Sequence, residues 1–295
     1  MSLKGPGKRS AAGLALLLVV ASTFALAVRA ASGAPDAPSY YVSLGDSLAR
    51  GWQPGSDGHS RDTKQGYVDD VAASLASRHS GLATVKFGCA GETSGTMLAG
   101  GICLYAHGSE LGEAEAFLRA HRGKIAAVTV NIGDNDVEQC LVHSRIDSAC
   151  VNREMAAVQA RVPKIAQRLR AAAGKNVPIV GLTDYDQFLA YWLEGSAGQR
   201  LAKRSVRIIG RLNRTIDGAY AHNGVRVADA TSAFSTNDLT HYTWLRGRGR
   251  VPVAVARVCK WTWACSGPPI GFNDHANATG YRVLGKVILG VLRGA

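Results

Sequence analysis

The stretch YYVSLGDSLARG, residues 40–51, decides how the chain is read. A mostly apolar run, Tyr40 to Leu44, opens into Gly45-Asp46-Ser47, after which the chain turns polar. An apolar strand ending in glycine and polar residues points to the carboxyl edge of a buried sheet, where open α/β folds bind ligands. Ser47 there is placed either as a nucleophile or as the cap of a following helix, a position that Ser and Asp both favour. The strained G-x-S-x-G elbow does not account for it, because Ala49 stands where the second glycine would be.

Outward from this stretch, four more runs read as strands: Thr84–Phe87, Ala126–Asn131, Val177–Leu182 and Val225–Ala228. Between them, apolar residues recur at helical spacing over Gly66–Arg78, Glu110–His121, Asn152–Ala173 and Ser196–His222, with a last helix at Ala278–Leu292. Strand and helix in alternation predict an α/β fold: a three-layer α/β/α sandwich around a central, mostly parallel five-stranded sheet. No repeat or low-complexity linker follows residue 38, so residues 39–295 read as a single domain. Thr231–Ile270 matches neither period and reads as an irregular insertion decorating the strand ends.

The first thirty residues stand apart. Lys4, Lys8 and Arg9 precede the apolar run Ala11–Val28, and small residues follow at Val28-Arg29-Ala30 and Ser32-Gly33-Ala34. This is the pattern of a secretory signal peptide over residues 1–30, with cleavage after Ala30 or Ala34. An uncleaved anchor is the alternative, since the run is barely long enough to span a bilayer. Residues 31–38 (ASGAPDAP) read as a flexible segment. The expected location is therefore extracellular.

The whole chain carries a formal charge of +12. Removing the leader's four basic residues leaves 30 basic against 22 acidic side chains, a modest excess. The basic clusters Leu201–Arg207 and Arg246–Arg250 lack the interleaved aromatics of a nucleic-acid platform, so no nucleic-acid partner is expected. Transient contact with a membrane or cell-wall surface fits such a charge, as does simple solubility. A monomer is expected. Six cysteines follow a secretory leader as three close couples, and sequential pairing is the simplest solution: Cys89–Cys103, Cys140–Cys150 and Cys259–Cys265. Zinc fits poorly, because there is no CxxC and the couples are widely spaced.

Three further blocks keep Ser47 company: GCAGETSGTM (residues 88–97), NIGDND (131–136) and NDHANATGY (273–281). Each follows a strand or precedes a helix, so a doubly wound fold can gather all four at one sheet edge. Together the four ordered blocks resemble the SGNH, or GDSL, hydrolase family, across most of the chain from Tyr40. The cysteine couples and leader look like those of secreted actinobacterial members. The resemblance implies a flavodoxin-like sheet and a serine hydrolase acting on ester bonds without a cofactor. It implies Ser47 as nucleophile and His275 as general base, with an oxyanion hole made by the N–H groups of Ser47 and Gly91 and the Asn135 amide. The chemistry is consistent: a serine hydroxyl needs an adjacent base, and histidine titrates near neutrality.

One departure stands out. The family places an aspartate three residues before the histidine, and here that residue is Phe272. Asp274 could serve through an unusual turn, Asn273 could orient the ring as a neutral acceptor, or the Phe272 carbonyl could take the Nδ1 proton. The third member of such a triad mainly fixes the tautomer and steadies the imidazolium. The expected substrate is a small-molecule or lipid ester, making the protein an esterase or lipase. A carbohydrate O-deacetylase, an acyltransferase and a non-catalytic envelope-binding protein are the alternatives. No metal is expected: no HExxH spacing occurs, and Asp134 and Asp136 alone are thin evidence for one. The aromatics of Asp184–Leu193 and Lys260–Cys265 suit an acyl pocket and core packing equally.

Overall fold

Parallel strands with crossover helices bury both faces, and the three inner strands here are buried almost without a break. The structure, a computed structural model, describes residues 1–3, 5, 7, 39–142 and 145–294. Apart from residues 1–3, 5 and 7, the expected leader and the segment 31–38 lie outside the described residues. The central sheet contains β1 (Tyr40–Gly45), β2 (Ala83–Lys86), β3 (Ile125–Asn131), β4 (Ile179–Leu182) and β5 (Arg226–Ala228). Their order is β2-β1-β3-β4-β5 and every pairing is parallel, the flavodoxin-like order.

Helices cover both faces: α1 (Ser47–Arg50), α2 (Tyr67–Ala76), α3 (Ser94–Ala99), α4 (Glu110–Ala120), α5 (Asp134–Glu138), α6 (Ser148–Ala173), α7 (Gly195–His222), α8 (Ala230–Phe234), α9 (Val253–Trp261) and α10 (Ala278–Arg293). On one face, Val42, Leu44, Val128 and Val130 pack against Leu118 of α4, Ile165 of α6 and Ile216 of α7. On the other, Tyr41, Ala127 and Val180 meet Val71 of α2 and Leu284 of α10. In the long helices the buried positions recur at three- and four-residue spacing, the stripe that a helix needs to sit on a sheet.

Two boundaries differ from the sequence reading for identifiable reasons. Helix α6 begins at Ser148 rather than Asn152, because the Asp147 carboxylate accepts the N–H groups of Ala149 (2.9 Å) and Cys150 (3.1 Å). A cap of that kind starts a helix ahead of its apolar stripe. The expectation of an irregular Thr231–Ile270 is also corrected. The segment holds most of α8, an antiparallel hairpin of β6 (Tyr242–Leu245) and β7 (Gly249–Pro252), and then α9. The hairpin leaves little trace in the sequence, because its strands are four residues long and its glycine–arginine turn hides their alternation.

The three disulfides pair sequentially, with Cα separations of 6.1, 5.5 and 5.0 Å. Each pins a local loop and leaves the packing of the layers to the two cores. Replacing Ile165, wholly buried in the first core, tests that division. Ile165→Ala should cost about 2–5 kcal/mol in urea unfolding while leaving the disulfides intact.

Candidate active site

Strand β1 ends at Gly45, whose φ of 139° and close approach to Asn131 admit no side chain. Its N–H donates to Glu110 Oε1 at 2.6 Å. The cap of α1 is Asp46, whose carboxylate accepts the Leu48 N–H at 2.8 Å and the Asn131 Nδ2–H at 2.6 Å. Asn131 Oδ1 in turn accepts the Tyr67 hydroxyl at 2.6 Å. Because Asp46 does the capping, the Ser47 hydroxyl has no such duty. Ser47 is the first helical residue, and its N–H is one of those a helix leaves without an internal acceptor.

The Ser47 Oγ lies 2.8 Å from His275 Nε2, across 228 residues of chain. The histidine sits in a tethered loop. Its carbonyl accepts from Trp263 N–H at 2.9 Å, the Asp274 carbonyl accepts the Tyr185 hydroxyl at 2.7 Å, and Asn277 caps α10 two residues on. On the far side of the ring, Nδ1 stands between two oxygens. Asn273 Oδ1 is 3.0 Å away in hydrogen-bond geometry. Asp274 Oδ1 is 3.2 Å away, close enough for an ion pair but off the N–H direction. The Asn273 amide is itself held, its Nδ2 donating to Ser60 Oγ at 3.1 Å. Among the described residues the Phe272 carbonyl does not accept this proton, contrary to one of the three arrangements the sequence allowed; the Phe272 ring is instead exposed and stacked on Tyr191.

The remaining residues of the four blocks converge at the same edge. Gly91 has φ 81°, a left-handed conformation that favours glycine, and open space where a Cβ would point. Among the described residues its N–H has no acceptor. Asn135 Nδ2 donates to the Glu92 carbonyl at 2.9 Å, which fastens this amide to the 92–93 peptide, just after Gly91. Asp136 faces away: its carboxylate takes Ser94 N–H at 2.7 Å and Ser94 Oγ–H at 2.6 Å at the start of α3. It therefore cannot join Asp134 in a metal site, and among the described residues no group of three metal-ligating side chains converges.

Electrostatics single out the histidine. Burial pulls His275 down, but Asp274, with Asp46 and Glu138 behind it, outweighs burial and holds the imidazole above its ordinary value. Burial also works against the Asp274 charge, yet the adjacent imidazole keeps that carboxyl below the usual carboxylate range. Burial pushes Asp46 up to about 6, against the Leu48 N–H, the Asn131 amide and His275, which pull it down. A small cleft beside Ser47 is lined by Asp134, Asn135, Asp184, Tyr185 and Gln187. Asp184 is 2% exposed, and among the described residues neither carboxylate oxygen has a partner. Burial, followed by Asp46 and Glu138, holds it well above the usual range.

Sequence reasoning missed Asn131, Tyr67, Tyr185, Asp184 and Glu110. Asn131 carried a signal, a polar residue closing an apolar strand. Glu110 carried none, since a glutamate opening a helix ordinarily faces water. Of the aromatics left open between pocket and core, Phe188 and Trp192 are core, Trp261 packs on Phe234, and Tyr185 both stacks on Phe234 and lines the cleft.

A flavodoxin-like sandwich with serine and histidine meeting at its carboxyl edge defines the class of protein, a serine hydrolase. Comparison with known families sharpens this: the model of the GDSL-like Lipase/Acylhydrolase family matches residues 43–283. The chain belongs to that family, whose members hydrolyse esters. Its fold is similar to the crystal structure of phospholipase A1 from Streptomyces albidoflavus, with TM-score 0.53 and 20% identity, covering 86% of this chain and 100% of that one. It is likewise similar to an extracellular lipase from Streptomyces rimosus, with TM-score 0.54 and 20% identity, covering 86% and 99%. At this identity the likeness is one of fold. Comparison with curated proteins returns no significant match.

The histidine environment gives a signed expectation. If neutral His275 is required, kcat/KM falls as pH drops through its pKa, so the acid limb should lie above the ordinary histidine value of about 6.5. Asp274→Asn removes the charge that favours the imidazolium, and the limb should move to lower pH with much of the activity kept. His275→Ala should lose the activity at every pH, with the fold intact by circular dichroism.

Proposed function

We propose that the protein is a secreted esterase or lipase that cleaves carboxylic esters through an acyl-enzyme on Ser47. The observation that carries this reading is the 2.8 Å contact between Ser47 Oγ and His275 Nε2. His275 Nε2 takes the hydroxyl proton as Oγ attacks the ester carbon. The charge that develops on the carbonyl oxygen is met by the N–H groups of Ser47 and Gly91 and by Asn135 Nδ2. Collapse breaks the bond to the alcohol, which leaves with the proton from His275. Water then attacks the acyl-enzyme by the same route in reverse. Asn273 fixes the ring with its proton on Nδ1, and the neighbouring Asp274 charge steadies the imidazolium. This divides between two residues what one aspartate usually does.

The leader-like residues 1–30 and the three disulfides support export, and residues 39–295 form the catalytic domain in this reading. The polar cleft bears on the substrate. A long alkyl chain laid against Asp134, Asp184 and Gln187 would set apolar surface on polar groups that are already buried and give them no hydrogen bonds. That favours short acyl groups, and it keeps an O-deacetylase acting on hydroxylated esters as the second reading.

Ser47→Ala should lower kcat/KM by at least ~10³-fold and abolish labelling by a fluorophosphonate probe. Asn135→Ala should lower it by ~10²–10³ through kcat. Labelling that persists in Ser47→Ala would remove the assignment. Across a series of p-nitrophenyl esters, specificity constants should peak at short chains. A maximum at long chains would place the acyl group outside the polar cleft.

A further inference from the structure

The cluster RGRGR, Arg246–Arg250, has no part in the catalytic reading, yet the fold gives it a setting the sequence hid. It forms the turn and second strand of the β6–β7 hairpin, with Trp244 paired to Arg250 and Tyr242 to Pro252 across the strands. The outer face therefore carries Tyr242 (47% exposed), Trp244 (70% exposed) and Arg250, while Leu245 and Val251 turn inward. The Arg250 guanidinium lies over the Tyr242 ring at 6.0 Å. Arg246, Arg248 and Arg250 are exposed and form no ion pair among the described residues.

Other exposed apolar side chains lie on loops next to the candidate active site or to the hairpin. Apart from Met1 and Leu3, the exposed large hydrophobics among the described residues are Ile102, Leu104, Tyr242, Trp244 and Phe272. Ile102 and Leu104 flank Cys103, which is bonded to Cys89 two residues before Gly91. Phe272 stands three residues before His275 and lines a depression together with Arg248 of the hairpin turn. The apolar tips thus belong to the loops that carry the site or adjoin them.

We propose that the β6–β7 hairpin docks the protein on an anionic lipid surface, with Tyr242 and Trp244 in the interface and Arg246, Arg248 and Arg250 on lipid phosphates. Amphipathic rings suit the boundary between headgroup and hydrocarbon, and unpaired arginines supply the complementary charge. A single-stranded nucleic acid fits less well, because two rings make a short stacking platform and Ile102 and Leu104 offer bases nothing. Docking in this way would bring the Ser47 cleft close to lipid esters, but it is a property of the hairpin and stands apart from the role of Ser47.

The test uses the full chain carrying Ser47→Ala, so that the lipid stays intact. Vesicles of phosphatidylcholine alone, or mixed with phosphatidylglycerol, contain brominated lipid, and Trp244 quenching is read as the difference from a Trp244→Phe partner. This readout reports the hairpin even if residues 11–28 also hold the membrane. Quenching should appear with the anionic vesicles and weaken with salt. It should need on the order of 100-fold more lipid when Arg246→Glu, Arg248→Glu and Arg250→Glu are combined, taking ~5-fold per arginine. With Ser47 intact, hydrolysis of a soluble short-chain ester should be unchanged by the hairpin substitutions. Absence of Trp244 quenching on anionic vesicles would overturn the proposal, as would equal quenching on neutral ones or in the triple variant. Protection of Trp244 by a single-stranded oligonucleotide but not by vesicles would overturn it in favour of a nucleic-acid surface.

Discussion

The buried carboxylate of Asp46 joins three parts of the molecule that must agree for Ser47 to point anywhere useful. It caps α1 through the Leu48 N–H, and it holds Asn131 at the end of β3, which in turn holds Tyr67 of α2. Burying a charge is unfavourable unless hydrogen bonds replace water, and these two donors are what make Asp46 tolerable there. Gly45 completes the junction, since its backbone passes too close to Asn131 for any other residue. The serine next in sequence inherits a fixed direction without contributing to the scaffold itself.

The histidine is held by a different logic. Its loop is tied by backbone and side-chain contacts to Trp263, Tyr185 and Ser60, from three separate regions of the chain. Neutral Asn273 takes the directional hydrogen bond while Asp274 supplies charge from the side. Orientation and electrostatic support can be separated because they depend differently on geometry. A hydrogen bond weakens steeply with angle, whereas a Coulomb interaction at short range does not.

Much of this was legible in the sequence, and the gaps have physical causes. All five strands announced themselves as short apolar runs, the three inner ones buried on both faces, and the main helices through 3.6-residue periodicity, and the end of β1 was readable from Gly45-Asp46-Ser47 alone. Ser47, Gly91, Asn135 and His275 stood out as candidates because each sits in a short block beside a strand or helix end. The capping role of Asp46 was not, since Ser and Asp are equally good caps on paper and only the partner Asn131, 85 residues away, decides between them. Likewise the Nδ1 acceptor could not be chosen from Phe272-Asn273-Asp274, because a two-residue turn and a remote Ser60 fix the Asn273 amide. The hairpin at 242–252 was too short for its alternation to rise above the glycines and arginines of its turn.

The 228-residue span between Ser47 and His275 has a consequence of another kind. The serine meets its histidine only when the loop before α10 closes back over the end of β1. Long-range closure of this sort is intrinsically slow, because the chain entropy is lost before the contact forms. A partly synthesised or partly folded chain therefore holds its hydroxyl without a base beside it. On the proposed mechanism, turnover therefore counts only molecules in which the two ends of the domain have met.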